Sequence, residues 1–423
     1  MNSRERILIL DGHTNQALAC VRSLGQAGYE VLVASHRASP LAKWSRHCRA
    51  HFKLERQSAE AFAALREWAK KQGAQLVLPV TERSCLLLNA ERAAWEGEGI
   101  VVGCASEELL LTAFDKAQTL ARADVCGVRI PQSRAPQSLN EALKAAEEIG
   151  LPCVVKPRWS NAWDGRDFSP TLSPAYVNER DQLARAIEER RQQSDWPLIQ
   201  EYVAGRGKGV FTLCEHGRVV AWFAHERLRD TRPSGSGSSL RRSIKLEPRL
   251  KEPAERLLSE LQWHGPAMVE FRDDGVNAPC LMEVNGRFWG SLQLGIDAGV
   301  NFPLMWVAIL KGERVEPAHE YAEGVTLRWV WGDLKRFMRI VRGAPQGYPG
   351  KYPTVMQGIK ELFGPQPAGT RLEMWRADDM RPGLGEWVGA FREFLAWRTH
   401  RRAKRNGHGV DAQGQHVNPL SEI

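Results

Sequence analysis

The chain opens with short apolar runs that alternate with stretches of helical spacing. In "RILILDG" the residues Ile7 to Leu10 form one continuous apolar strand. In "NQALACVRSLGQAGYEVLVASH" the positions Ala17, Cys20, Val21 and Leu24 recur with helical period, Gly28 stops the helix, and Val31 to Ala34 resume a strand. A helix over 59–72, the run "QLVLPV" at 75–80, a helix over 84–96 and "GIVVG" at 99–103 continue the order. Alternation of this kind packs as a parallel sheet covered by helices. The first turn, "DGHTNQA", lacks the glycines of GxGxxG, which argues against a dinucleotide site and hence against an NAD-dependent oxidoreductase.

Past residue 113 the pattern changes. "NEALKAAEEIG" reads as a helix, and "LPCVVKPRWS" places Lys156 at the end of an apolar strand closed by Pro157. The amphipathic helix "RDQLARAIEERRQQ" precedes the short strand "WPLIQEYVAG". "GKGVFTLCEHGRVVAWFAHERL" alternates about the turn "EHGR", as a hairpin does, and "TRPSGSGSSLRRS" reads as a mobile Gly/Ser loop between arginines. A helix over 253–261 leads to two strands, "PAMVEFRDD" and "PCLMEVNGRFWG". After Val315 regularity falls, although "TLRWVWGDLKRFMRIVRG" carries the composition of a basic amphipathic helix. Such a helix suits either a membrane interface or the protein's own body. No repeat with a period of 20 to 50 residues is present.

Composition narrows the classes. With 423 residues, 43% hydrophobic and 26% charged, the chain is long enough for two or three globular domains. The first residues lack the long apolar core of a secretory signal, and the longest apolar run, "FPLMWVAIL", ends at Lys311, so a cytoplasmic protein is expected. Eight scattered cysteines without a CxxC pair suit a reducing compartment. "HCRAH" mimics metal-ligand spacing on a helix, but no second cluster accompanies it. A net charge of +8 is concentrated in "WRTHRRAKRNGHG", read as a solvated basic tail rather than a nucleic-acid or lipid contact.

The segment with the most chemistry is "CLMEVNGRFWGS". Residues two apart on a strand share a face, so Glu283, Asn285 and Arg287 would form one polar row while Met282 and Val284 face the other way. A buried carboxylate needs a partner. Glu270, on the preceding strand, is placed to come beside Glu283; two carboxylates and an amide oxygen suit Mg²⁺. A pair of structural ion pairs would use the same residues.

Asp115–Lys116, Lys156 at a strand end, "QEYV" further on, and then Glu270, Glu283, Asn285 and Arg287 together resemble the ATP-grasp superfamily, in particular its carboxylate-amine ligase and carbamoyl-phosphate-synthase-like branches. The resemblance covers roughly residues 1–311, with "MEVNGRFWGS" its most specific motif. It implies an α/β protein: an N-terminal Rossmann-like parallel-sheet domain over 1–112, a two-lobed α+β ATP-grasp fold over 113–311 with its smaller lobe near 125–200, and a C-terminal extension over 312–423. It further implies that Lys116 and Lys156 reach the nucleotide, Lys156 acting in catalysis with Arg287, and that Gln200, Glu201, Tyr202 and Val203 form the adenine hinge. Glu270, Glu283 and Asn285 would hold Mg²⁺, with Mn²⁺ as the alternative. The implied reaction converts a carboxylate to an acyl phosphate at the expense of ATP and joins it to an amine. Its partners are ATP and small molecules rather than nucleic acid. A nucleotide-binding scaffold without chemistry, docked at a membrane or assembly through the C-terminal region, is the competing expectation. Two departures from the family pattern stand out: a lid with only Gly165 in "PRWSNAWDGRDFSP", and Lys208 where an acidic residue often holds the ribose. Arg241 or Arg242, after the Gly/Ser loop, would serve as a clamp on an acidic substrate or phosphate.

Overall fold

A computed structural model of the chain describes residues 4–391 apart from 56, 164–167 and 193–194. Gly165 and the basic run at 397–409 therefore lie outside the described residues. The N-terminal strands β1 (Arg6–Ile9), β2 (Glu30–Ser35), β3 (Cys48–Lys53), β4 (Ala74–Leu78) and β5 (Val101–Val102) form a parallel sheet in the order β3-β2-β1-β4-β5. Its central strands are apolar runs because helices cover both faces: α1 (Asn15–Gln26), α2 (Ala59–Lys71), α3 (Glu82–Ala90) and α4 (Arg92–Gly97). Thr14 caps α1 by accepting from the Ala17 N–H. The single helix expected over 84–96 is two, because Glu91 ends α3 and begins α4. "HCRAH" runs into strand β3, so His47 and His51 do not share a helical turn.

Helices α5 (Glu107–Phe114) and α6 (Lys116–Val125) lead to the smaller lobe. That lobe comprises β6 (Ser133–Arg134), α7 (Leu139–Ile149), β7 (Cys153–Lys156), the paired strands β8 (Asn161–Trp163) and β9 (Phe168–Pro170), β10 (Ala175–Val177), α8 (Arg180–Arg191) and β11 (Leu198–Glu201). Its antiparallel sheet runs β10-β7-β11-β6. The larger lobe follows with β12 (Arg206–Glu215), β13 (Arg218–Arg229), β14 (Leu240–Ser243), α9 (Pro248–Glu260), β15 (Gly265–Asp273) and β16 (Cys280–Asn285), then α10 (Leu292–Asp297) and α11 (Phe302–Leu310). Residues after 311 continue the same sheet: β17 (Thr326–Arg328) pairs with β14 and β18 (Arg371–Leu372) with β17, with α12 (Val330–Arg342) and α13 (Val355–Phe363) between them. The turn joining β12 to β13 puts His216 and Gly217 at φ 47° and 80°, as a two-residue hairpin turn of the primed type requires. Helix α9 starts at Pro248 rather than Pro253, since Pro248 already supplies the preset φ of a first helical position.

Packing divides the molecule differently from sequence order. Two apolar clusters each join the N-terminal sheet to the larger lobe, one uniting Leu8 and Trp95 with Leu250 and Phe271, the other uniting Ile7 and Val21 with Phe223 and Trp306. The smaller lobe has its own cluster, built from Ala142, Val155, Leu183 and Ile199 among others. It is thus a separately cored unit beside one continuous body, and the space between them is where a ligand fits.

The C-terminal region is fastened to this body by charge. Arg22 of α1 lies buried, its Nε 2.9 Å from Asp379 Oδ2, and it also donates to the carbonyls of Glu373, Met374 and Asp379. Asp379 accepts as well from Ser45 Oγ at 2.8 Å and the Arg46 N–H at 2.9 Å. Removing one partner of a buried pair leaves the other charge uncompensated, so Asp379→Ala should destabilise the fold by about 3 kcal/mol. The neighbouring exposed Asp378→Ala should change it by less than about 0.5 kcal/mol. Denaturant midpoints of the two variants check the contrast, and equal midpoints would contradict the fastening role.

Candidate active site

Glu270 and Glu283 stand directly opposite each other on the adjacent antiparallel strands β15 and β16. The register shifts beside this pair, since Phe271 faces Leu281 and leaves Met282 as the extra residue of a bulge. That bulge corrects the expected alternation: Val284 turns into the core, but Met282 lines the same cleft as Glu283. Strand β16 ends at Asn285, so Arg287 lies beyond the strand, yet it stays in the row. Asn285 Nδ2 donates to Glu283 Oε1 at 3.1 Å, Arg287 Nη2 donates to Asn285 Oδ1 at 2.9 Å, and Arg287 reaches Glu82 of α3 at 3.4 Å.

The guanidinium that meets Glu270 was not anticipated from the sequence. It belongs to Arg227 on β13, whose Nη2 lies 2.7 Å from Glu270 Oε1 while Nε lies 3.0 Å from Asp230. Strand β12 separates β13 from β15, and it is bare where the arginine crosses. A Cβ on Gly207 would fall 1.8 Å from Arg227 Nη2, so only glycine leaves room for the side chain. The alternation of His225 and Arg227 along β13 was the available signal, because both line the cleft at the end of the apolar run Val219 to Ala224.

Lysines enter from the other side. Lys156 ends β7 and is 7% exposed; burial, then repulsion from Lys116, pulls its ammonium down to about 8, while Glu283 and Glu270 act in the opposite sense. Lys116 heads α6, whose N-cap Asp115 accepts from Ala117 and also from Arg158 Nε at 3.2 Å; the Lys116 N–H donates to the Arg158 carbonyl at 3.1 Å. The helix start is thereby tied to the segment that follows Lys156, which keeps the two cations together. Burial raises Glu270, and Glu283 raises it further against the pull of Arg227. Burial would raise Glu283 too, but Lys116, the Asn285 hydrogen bond, Lys156 and Arg287 outweigh it and hold it below its ordinary value.

Lys116, Lys156, Gln200, Glu201, Tyr202, Val203, Glu270, Glu283, Asn285 and Arg287 all border one cleft of about 1160 Å³. A second cavity of about 510 Å³ adjoins it, sharing Glu283, Asn285 and Arg287 and reaching Asp11, Glu55 and Glu82 of the N-terminal domain. Asp11 is buried at φ 54°, and it accepts from Thr81 Oγ1 at 2.9 Å and Gln57 Nε2 at 3.0 Å.

Two expectations change. Lys208 turns to Asp273 Oδ2 at 2.7 Å and Glu247 at 3.7 Å, an ion cluster at the sheet end. Arg241 and Arg242 are committed as well, Arg241 to buried Glu373 and Arg242 to Glu226, because strand β14 holds both in register with β13 rather than leaving them on a mobile loop.

Among the described residues no group of three or more His, Cys, Asp or Glu side chains is placed to hold a metal ion. A cation site here takes the form of two opposed carboxylates and the Asn285 amide. The residues fit a hard divalent ion: two half-buried carboxylates face each other across neighbouring strands, an arrangement whose repulsion a dication relieves.

A family model described as "ATP-grasp in the biosynthetic pathway with Ter operon" matches residues 193–332. Over 142 residues, 33% of this chain, the sequence is 29% identical to formate-dependent phosphoribosylglycinamide formyltransferase of Wolinella succinogenes; the match spans 34% of that relative's length. In fold the chain is similar to biotin carboxylase of Campylobacter jejuni, with a TM-score of 0.61 at 16% identity over 77% of this chain and 74% of that one. It is likewise similar to N5-carboxyaminoimidazole synthetase of Staphylococcus aureus, with a TM-score of 0.60 at 14% identity over 77% and 83%. Residues 193–332 thus match an ATP-grasp family, and about three quarters of the chain share the fold of these two enzymes.

Proposed function

We propose that this protein is an ATP-dependent ligase that activates a carboxylate as an acyl phosphate and joins it to an amine, releasing ADP and phosphate. The observation that carries the reading is the convergence of two lysines, a strand-end hinge, two carboxylates, an amide and a guanidinium on one cleft between separately cored lobes. Backbone groups of Glu201 to Val203 suit the donor and acceptor edge of adenine. Lys116 and Lys156 then meet the phosphates. Glu270, Glu283 and Asn285 would hold Mg²⁺, or Mn²⁺ in its place, which when bound neutralises phosphate oxygens.

A carboxylate oxygen of the substrate attacks the γ-phosphorus, the bond to the β-phosphate oxygen breaks, and ADP departs with the electron pair. Arg287 and Lys156 absorb the charge that moves during this step. The amine nitrogen then attacks the acyl carbon, phosphate leaves, and the nitrogen gives up its proton. Carboxylates of the second cavity, Asp11, Glu55 and Glu82, favour an approaching amine. Arg227 pulls Glu270 toward its charged form against burial and orients it.

Glu283→Gln keeps the shape of the row and removes one charge. It should lower ADP release at least about 100-fold, as expected for loss of an anionic ligand to the cation that neutralises the phosphates, while the melting temperature stays that of the parent. Undiminished release would refute the assignment.

Lys156 supplies a pH signature. Its free-state value of about 8 lies below the value it must take beside phosphates, so nucleotide binding takes up a proton between the two. Affinity for MgADP should therefore fall as pH rises above about 8, approaching tenfold per unit. Calorimetry in buffers of different ionisation enthalpy should show proton uptake at about pH 8.5 for the parent and none for Lys156→Met. A flat affinity profile in the parent would contradict this.

A further inference from the structure

The C-terminal region carries an apolar face that none of the chemistry above uses. Asp333 and Arg336 fix helix α12 to the body, and α13 packs beside it, since a Cβ on Gly358 would fall 3.0 Å from Phe337 and 3.2 Å from Ile340. On the other flank Trp331 meets Trp387, of the helical residues 381–391, edge to face at 5.3 Å. At about 3.6 residues per turn, Leu334, Met338 and Val341 fall between these two flanks and away from the body. The outward strip of α12 is therefore apolar.

Both neighbours extend it. Helix α13 exposes Met356, Ile359 and Phe363 on a stripe turned away from Gly358, with Phe363 79% exposed. Because α13 runs antiparallel to α12, with Glu361 against Arg336 at 2.7 Å and the Leu362 carbonyl against Arg328 at 2.7 Å, its stripe turns to the same side as Leu334 and Met338. Residues 381–391 expose Leu384, Trp387, Val388 and Phe391 at helical spacing, while the opposite side of that helix, at Gly385, Glu386 and Gly389, lines the cleft. None of these exposed side chains belongs to the apolar clusters of the core. An exposed apolar face spread over three helices marks a surface that something covers.

Charge and shape select the cover. Of the exposed charged residues in 330–391, Arg342, Lys351, Lys360, Arg371 and Arg381 are cationic and Asp378 alone is acidic. The face is the outer side of adjacent helices rather than a groove, so it fits a flat layer better than an inserted peptide. A second copy of the chain on the same face would set cations against cations.

We infer that this face docks on an anionic lipid surface, with Met356, Phe363, Leu384 and Phe391 entering the headgroup layer and the cations around them meeting lipid phosphates. One helix carries both part of the face and a wall of the cleft, so that wall then lies one helix diameter, about 10–12 Å, from the lipid. No nucleotide or substrate group enters the inference, and it stands apart from the ligase reading.

The test is flotation of the full chain with vesicles of phosphatidylcholine alone and of equal parts phosphatidylcholine and phosphatidylglycerol. The parent should float with the mixed vesicles and weakly or not at all with the neutral ones, and added salt should release part of it. M356E/F363E should weaken binding to the mixed vesicles about tenfold or more, while the melting temperature stays that of the parent. L384E/F391E repeats the comparison on the other flank and carries it alone if the first variant melts early. Equal binding by the parent and both variants overturns the inference, because the basic sequence beyond residue 391 would then make the contact. Equal flotation with neutral vesicles overturns the choice of an anionic surface. A parent that binds neither vesicle overturns the whole, and if it also self-associates while M356E/F363E sediments as a monomer, the face belongs to a second copy.

Discussion

Two half-buried carboxylates set face to face on neighbouring strands govern the rest of this structure. Glu270 and Glu283 repel each other where water is scarce, and every other charged group nearby is arranged around that repulsion. Arg227 crosses the bare strand at Gly207 to reach one of them, while Asn285, Lys116, Lys156 and Arg287 act on the other. The result is an asymmetric pair, with one carboxyl driven toward its neutral form and one held ionised. Such a pair is poised for a cation, because a dication binds two oxygens that the apo protein can satisfy only in part.

The same asymmetry explains why one of the two lysines comes from a different unit. Lys156 belongs to the smaller lobe, whose apolar cluster shares no residue with the two clusters that unite the N-terminal domain and the larger lobe. Charges of opposite sign thus sit on bodies with separate cores, and the attraction between them acts across the cleft. A polyanion entering that space contacts the lysines on one wall and, through a cation, the carboxylates on the other. Closing of the lobes is then favoured only when the ligand is present, which is the condition that keeps water away from a reactive acyl phosphate.

Much of this architecture was legible because periodicity is local. The parallel order of the first domain follows from apolar runs separated by helical spacing, and the row of Glu283 and Asn285 from two-residue alternation. What escaped depends on partners far apart in sequence or on elements too short to show a pattern. Strands β17 and β18 contain three and two residues, too few for alternation to register. Arg241 finds Glu373 far along the chain, and Arg22 finds Asp379 across most of its length. The bulge at Met282 adds one residue to an otherwise regular strand and turns a side chain toward the cleft that parity alone sends away. Arg227 escaped for a related reason, since its role depends on a glycine in the neighbouring strand and not on anything within its own.

Helix α12 shows how one composition supports opposite placements. Read alone, its tryptophans and arginines suit a lipid interface as well as a protein interior. No helix among the described residues is long and apolar enough to cross a membrane, but that leaves surface contact undecided by length. Pairing decides the orientation of this helix instead. Asp333 binds Arg229 and Arg328, and Arg336 binds Glu361 and the Asp230 carbonyl, so the helix is fixed about its own axis by buried polar contacts that tolerate one rotation. With that face committed, Trp331, Lys335 and Arg339 have to look into the cleft.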